Sequence, residues 1–284
     1  MRLATLKDDS TVAISKKGII PLTKLGFEGS MRKLIEAGET EWERIENAIH
    51  GIKKDFNLSH KTLDAPIKDP SKVVAIGLNY FDHAKESKME IPNFPLVFAK
   101  FNNSITGPTD PIIIPSKITQ QVDYEAELGV IIGKRAKDVI QDNVLEYIFG
   151  YTIINDVSAR DIQFSDKQWV RGKSIDTFCP MGPVIVTKNE IADPQNLELG
   201  CSLNGKTLQQ DNTKNMIFSI TELISQLSHS FTFEPGDLIA TGTPSGVGFS
   251  RTPPVFLKER DVVCTWIKGI GELINPVINS QTEN

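Results

Sequence analysis

The chain has 284 residues, a formal net charge of −5, 39% hydrophobic and 24% charged residues, an ordinary balance for a protein that buries a sizeable core. With no basic stripe in the sequence, a phosphate-reading surface for nucleic acid is excluded, and no apolar run approaches the roughly 20 residues of a membrane-spanning helix. The three cysteines, Cys179, Cys201 and Cys264, are far apart and form no CxxC, so neither structural zinc nor a disulfide framework is expected and a reducing cytoplasm fits.

The opening "MRLATLKDDS" reads as a short strand rather than a leader, because it lacks an apolar centre. Alternating segments to about residue 28 ("RLATL", "TVAI", "GIIPL") predict further small strands. From Ser30 the pattern turns helical: Trp42, Ile45, Ile49 and Ile52 recur at three- and four-residue steps, and Thr40-x-x-Glu43 has the form of a capping box. Residues 59–72, "SHKTLDAPIKDPSK", read as a linker. The expected division is a small N-terminal α+β domain over 1–70 and a catalytic domain over 71–284. From Val73 onward the texture is β ("KVVAIGLNY", "PLVFAKF", "ELGVIIG", "GYTIIND", "GPVIV", "DLIATG"), interrupted by one helix whose stripe is Met216, Ile217, Ile220, Leu223, Ile224 and Leu227. Strands not separated by regular helices argue against a doubly wound sheet and for a mainly β fold with some α, a rolled or barrel-like mixed sheet.

Four stretches carry chemistry. In "QVDYEAELGVIIG" the acids Asp123, Glu125 and Glu127 take every second position, so a strand read with period two sets three carboxylates on one face. Such a face is either solvated and salt-bridged, or completed by a divalent cation with oxygen ligands. The cation reading needs a third acid from a neighbouring strand, and Asp156, where "GYTIIND" ends, supplies it. With no His or Cys at metal spacing, Mg²⁺, Mn²⁺ or Ca²⁺ suits the site better than zinc. In "GLNYFDHAKE", His83 and Glu86 are three apart and share a helical face, where the carboxylate orients the imidazole as a general base requires. The same spacing also describes ordinary surface neighbours. His50, His60 and His229 read as structural or solvated. Lys173, in "QWVRGKSIDTFCPMGP", follows a glycine in a turn. "GDLIATGTPSGVG" lacks the signatures of a phosphate loop or dinucleotide fold, and its use would be to offer backbone N–H groups and the Thr243 hydroxyl to a small anion.

In this order, "LNYFDHAKE", "PLVFAKF", "VDYEAELGVIIGK", "NDVSARDIQ", "RGKSIDTFCPMGP", "LNGK" and "GDLIATGTPSGVG" resemble the fumarylacetoacetate hydrolase family over about residues 72–277. The resemblance implies a mixed β-roll catalytic domain, a homodimer, and a Mg²⁺ or Mn²⁺ ion held by Glu125, Glu127 and Asp156. It makes His83 and Glu86 the lid dyad that activates water in acylpyruvate-cleaving members, and Lys173 the lysine facing developing negative charge. Lys100, Gln163, Gly242 and Thr243 take substrate-contacting positions. The larger fumarylacetoacetate-cleaving members carry a further acidic ligand just before the histidine turn, and "AIGLNY" has none. The reading this favours is hydrolysis of a C–C bond in a 2,4-dioxo acid such as an acylpyruvate, fumarylpyruvate or sugar-derived diketo acid. The cation polarises the diketone, and His83 deprotonates the attacking water. Oxaloacetate decarboxylation or a 2-hydroxymuconate-type isomerisation at the same site is the alternative, since both share the enolate and neither needs the water. Dehydration of a 2-keto-3-deoxy acid and a non-catalytic metal-stabilised binding protein are more remote. The segment from Tyr80 to Asn93 is expected to act as a lid that moves to admit a small keto-acid substrate.

Overall fold

The computed structural model describes residues 1–15, 18–51 and 63–280. Ile52, His60 and the first part of the expected linker lie outside these residues.

In chain order the N-terminal region contributes β1 (Arg2–Leu6), β2 (Thr11–Ser15), β3 (Gly18–Pro21), α1 (Met31–Glu36) and α2 (Glu39–Gly51). Ser30 caps α1 by accepting from Lys33 N–H. The second helix begins at Glu39, with Glu41 and Trp42 N–H donating to the Gly38 carbonyl, so Thr40 lies inside its first turn and does not cap it. Then come β4 (Leu63–Asp64), β5 (Val73–Gly77), α3 (Phe81–Glu86), β6 (Leu96–Lys100), β7 (Ile105–Thr106), β8 (Ile112–Ile114), β9 (Val122–Asp123) and β10 (Ala126–Ile132). After these follow α4 (Val144–Tyr147), β11 (Ile148–Asn155), β12 (Ser158–Ala159), α5 (Arg160–Asp166), α6 (Val170–Lys173) and β13 (Cys179–Thr187). The chain finishes with β14 (Glu198–Leu203), β15 (Lys206–Asn212), α7 (Ile220–Ser230), β16 (Leu238–Ala240), β17 (Val262–Ile267) and β18 (Gly271–Asn279).

The mainly β architecture matches the expectation. The larger sheet runs β3-β2-β1-β13-β11-β10-β16-β5-β6, with β4 on β1 and β7 on β13; a second runs β15-β14-β17-β18-β8. Strand β11 is buried along its whole length, as a central strand with a continuous apolar run must be, whereas β18 alternates buried and exposed. Leu128, Ile153 and Val184 from the larger sheet share one core with Leu199, Ile267 and Leu273 from the second. Strand β1 pairs with β13, and Leu3 and Ile20 share a core with Ile131, Phe149 and Met181, so residue 70 marks no break in the sheet. Helix α7 starts at Ile220 behind a complete Ser219–Glu222 capping box, leaving Met216 and Ile217 before it.

One rim of the larger sheet gathers the chemistry. Ala126 at the start of β10 pairs with Asn155 at the end of β11, which sets Glu125 and Asp156 side by side; Asp156 N–H donates to the Glu125 carbonyl at 2.9 Å. Strand β16 flanks β10 and runs parallel to β5, so "TGTPSG" and α3 leave the sheet at the same end. The Asn79 amide pins that junction, donating to the Thr241 and Phe218 carbonyls at 2.8 and 3.1 Å and accepting from Phe218 N–H at 2.8 Å.

Candidate metal centre and lid

The acidic stretch is not one continuous strand. Pairing breaks between β9 and β10 at Tyr124 and Glu125, and Asp123 is turned away from the other two acids. Its carboxylate accepts from the N–H groups of Gly248 (2.7 Å) and Phe249 (3.1 Å) and pairs with Arg160 Nε at 2.8 Å. The three acids that do converge are Glu125, Glu127 and Asp156, all buried, with one oxygen of each within 4.8 Å of the others. Strand alternation turns Glu125 and Glu127 to the same side, and the β11 end brings Asp156 to them.

Cations brace this cluster unevenly. Lys173 Nζ spans Glu125 (2.7 Å) and Asp156 (2.6 Å), and Lys100 Nζ takes the other Asp156 oxygen at 2.7 Å. Arg160 Nη2 lies 2.5 Å from Glu125, and its Nη1 donates to Gln163 at 2.9 Å. Among the described residues Glu127 has no such ion pair; its Oε2 accepts the Gly242 N–H at 2.9 Å. A side chain at Gly242, whose φ is +100°, would place Cβ 2.7 Å from that of Asn79. Burial pushes Glu125 up, but Arg160 and Lys173 more than reverse it and hold it far below the usual carboxylate range. Burial, with Asp156 and Glu125 as like-charged neighbours, pushes Glu127 well above that range. Burial works against the Lys173 ammonium, but Asp156 and Glu125 outweigh it and raise its pKa.

Asp123, Glu125, Glu127 and Asp156 are thus four buried acids against three buried cations, Lys100, Arg160 and Lys173. With all four ionised the cluster carries one negative charge too many, and burial beside Asp156 and Glu125 disfavours that charge by keeping the proton on Glu127. An all-oxygen set with one acid lacking a counter-charge fits a divalent cation, and binding one would displace the Glu127 proton and leave the cluster positive. That is the charge an anionic oxo acid requires.

Above the rim, α3 presents His83, which is buried, with Nδ1 2.9 Å from Glu86 Oε1. Glu86 also accepts from Gly246 N–H at 3.0 and 2.9 Å and from the Ser250 hydroxyl at 2.9 Å. Burial raises the Glu86 pKa, but His83, Gly246 and Ser250 together bring it below the ordinary value. His83, Glu125, Arg160, Gln163, Lys173 and Thr243 line one narrow cavity of about 30 Å³, walled by aromatic rings such as Phe98, Trp169 and Phe249. By contrast, Lys100 is committed to Asp156 beneath the cavity, and Gly242 to Glu127. Thr243 donates to the Ala126 carbonyl at 3.1 Å and accepts from Gln209 at 2.8 Å.

Lys173, read above as lying in a turn, is the last residue of α6 and is fully buried. Arg160 received no role in the sequence reading, although its place was legible: it follows Asp156 by four residues and precedes Gln163 by three, one helical turn. The rings of Trp169 and Phe249 carry no such signal, because long-range packing alone brings them to the cavity. His229 is exposed beside Asp138, as a solvated residue should be.

A model of the fumarylacetoacetate (FAA) hydrolase C-terminal domain matches residues 72–278. The chain is 45% identical over 250 residues to a mitochondrial oxaloacetate tautomerase of Xenopus laevis, covering 87% of this chain and 78% of that protein. It is 47% identical to a fumarylacetoacetate hydrolase domain-containing protein 2 homolog of Dictyostelium discoideum, covering 93% and 91%. Among solved structures, maleylpyruvate hydrolase of Sphingobium sp. SYK-6, in complex with manganese(II) and pyruvate, superposes with a TM-score of 0.84 at 31% identity, over 99% of this chain and 100% of that one. The chain belongs to the fumarylacetoacetate hydrolase family.

Proposed function

We propose that this protein is a divalent-cation-dependent tautomerase of oxaloacetate or a similarly short 2-oxo diacid. The observation that carries the reading is the narrow cavity that His83, read as a proton carrier, shares with Glu125, one member of the converging acid cluster. Its volume of about 30 Å³ has room for little more than a couple of waters, so a substrate enters only when α3 lifts, and a short diacid disturbs the aromatic wall least. The Xenopus relative's activity supports the same choice. The isomerase alternative therefore has more behind it than C–C hydrolysis.

The chemistry is one proton moved between C3 and the C2 oxygen. With Glu86 ionised, the imidazole proton sits on Nδ1 and Nε2 is left as acceptor. His83 takes the proton at one end and returns it at the other, a role worth about 10²–10⁴-fold. Lys173 and Arg160 offer positive charge to the oxygen on which negative charge develops. A cation held by Glu125, Glu127 and Asp156 would supply Lewis-acid polarisation of the oxo acid. The buried walls and the docked lid keep bulk water from the enolate.

A second reading, hydrolysis of an acylpyruvate, is favoured by the manganese-bound maleylpyruvate hydrolase, which shares the fold. Product analysis separates the two. Incubation of purified protein with Mg²⁺ or Mn²⁺ and enol-oxaloacetate should speed appearance of the keto form without releasing pyruvate. Cleavage of acylpyruvates with no effect on oxaloacetate would overturn the proposal.

A further inference from the structure

The turn that receives the lid is a rigid fixture. Gly246 has φ +100°, and a Cβ there would fall 2.2 Å from the Leu208 carbonyl oxygen, so glycine alone can present this N–H. The Gly246 carbonyl accepts from the Tyr124 hydroxyl at 3.1 Å and from Arg251 Nε at 3.2 Å. Two residues on, the buried Asp123 carboxylate holds the Gly248 and Phe249 N–H groups, and Arg160 ties Asp123 to Glu125. The Phe249 ring lies over the Arg160 guanidinium at 4.5 Å from its centroid. The lid dock is therefore joined to the acid rim through Asp123, by its hydrogen bonds from the turn and from Arg160 and by the Arg160–Glu125 ion pair, and this is what the first carboxylate of "VDYEAE" does.

Into this fixture comes one flexible group, Glu86. Ser250 Oγ lies 2.9 Å from Glu86 Oε2 and 3.0 Å from the Val247 carbonyl, with a single proton to give. When the lid leaves, that proton has a second acceptor within its own turn, so opening strands no donor. Ser250 does not line the cavity.

We propose that Ser250 is a positioning residue: its hydroxyl, with the Gly246 N–H, latches Glu86 when the lid closes and so fixes the imidazole of His83 over the cavity. This rests on His83 being the proton carrier. Lid closure and orientation of the base are then one event, read out at a residue that touches no substrate.

The test compares Ser250→Ala and Ser250→Thr in the full chain, by hydrogen exchange of the α3 amides and by steady-state tautomerisation of oxaloacetate with Mg²⁺. In Ser250→Ala, the amides of Ala84, Ser87 and Met89, which close the turns of the lid, should exchange about tenfold faster, while β10 and β11 are unchanged. Turnover should fall about three- to tenfold in kcat, with melting temperature and Mg²⁺ dependence as in the wild type. Ser250→Thr, which keeps the hydroxyl, should restore both. Wild-type lid exchange in Ser250→Ala overturns the latch, as does early melting or failure of the threonine variant to rescue. Should the wild type lack tautomerase activity, the exchange comparison still decides the latch, and only the proposed reaction falls.

Discussion

The rim and the lid hold the same kind of group, a carboxylate, in opposite ways. Glu125, Glu127 and Asp156 are at most 4% exposed and sit at strand ends that cannot shift without the sheet. Glu86 is 21% exposed and rides on a six-residue helix whose first residue, Phe81, is half exposed. At the rim, like charges are forced together and two of the three acids are neutralised by buried lysines and an arginine. At the lid, one acid gathers a histidine of its own helix, and a backbone N–H and a hydroxyl from the distant "SGVGFS" turn. On the proposed reading, the difference separates two tasks: cation binding would set positive charge on a fixed frame, and proton transfer would require α3 to be docked.

The largest break in that comparison should come from Glu127→Gln. The change removes the acid with no ion-pair partner, so cation-dependent turnover should vanish, while the metal-free protein melts no lower than the wild type. A melting curve without added metal and a turnover assay with saturating Mn²⁺ check both halves. His83→Ala should cut tautomerisation by about 10²–10⁴-fold and leave Mn²⁺ affinity untouched, since α3 supplies none of the three converging acids. Equal loss of Mn²⁺ binding would merge the two regions that the structure keeps apart. Arg160→Leu strands Asp123 without a counter-charge and leaves Glu125 with Lys173 alone, and should cost about 3–5 kcal/mol in denaturant unfolding. The corresponding loss at the lid is smaller and shows itself through pH. Because the folded Glu86 pKa is lowered, its contribution is fully present above the ordinary carboxylate value and is lost as pH falls through the lowered one. Lid protection, corrected for the intrinsic pH dependence of amide exchange, should therefore hold at neutral pH and be lost only in acid; protection already lost near pH 7 would contradict the latch.

Much of this was legible in the sequence where a local pattern carries the geometry. Period-two spacing put Glu125 and Glu127 on one side, and a polar break after an apolar strand marked Asp156. Asp123 obeyed the same pattern yet went elsewhere, because β9 and β10 are separate strands and the intervening turn re-aims it toward Gly248 and Arg160. The i, i+3 spacing gave the His83–Glu86 contact, but not its dock, since Gly246 and Ser250 lie 160 and 164 residues from Glu86. Lys100 and Gly242 were expected at the substrate; the fold sends their polar groups to Asp156 and Glu127, which depends on strand pairing no local pattern encodes. The strand content from Val73 onward was readable from apolar runs and turn residues. The union of β1 with β13 was not, because sheet order is fixed by long-range register.

The most direct measurement is the rate at which the purified chain converts enol- to keto-oxaloacetate, with Mg²⁺ or Mn²⁺ present and again after chelation. The account predicts fast conversion with the cation, near-background conversion without it, restoration when the cation is returned, and no response in Glu127→Gln. Conversion that is indifferent to chelation, or fully retained in Glu127→Gln, would contradict the claim that the acid rim is a cation site serving enolate chemistry.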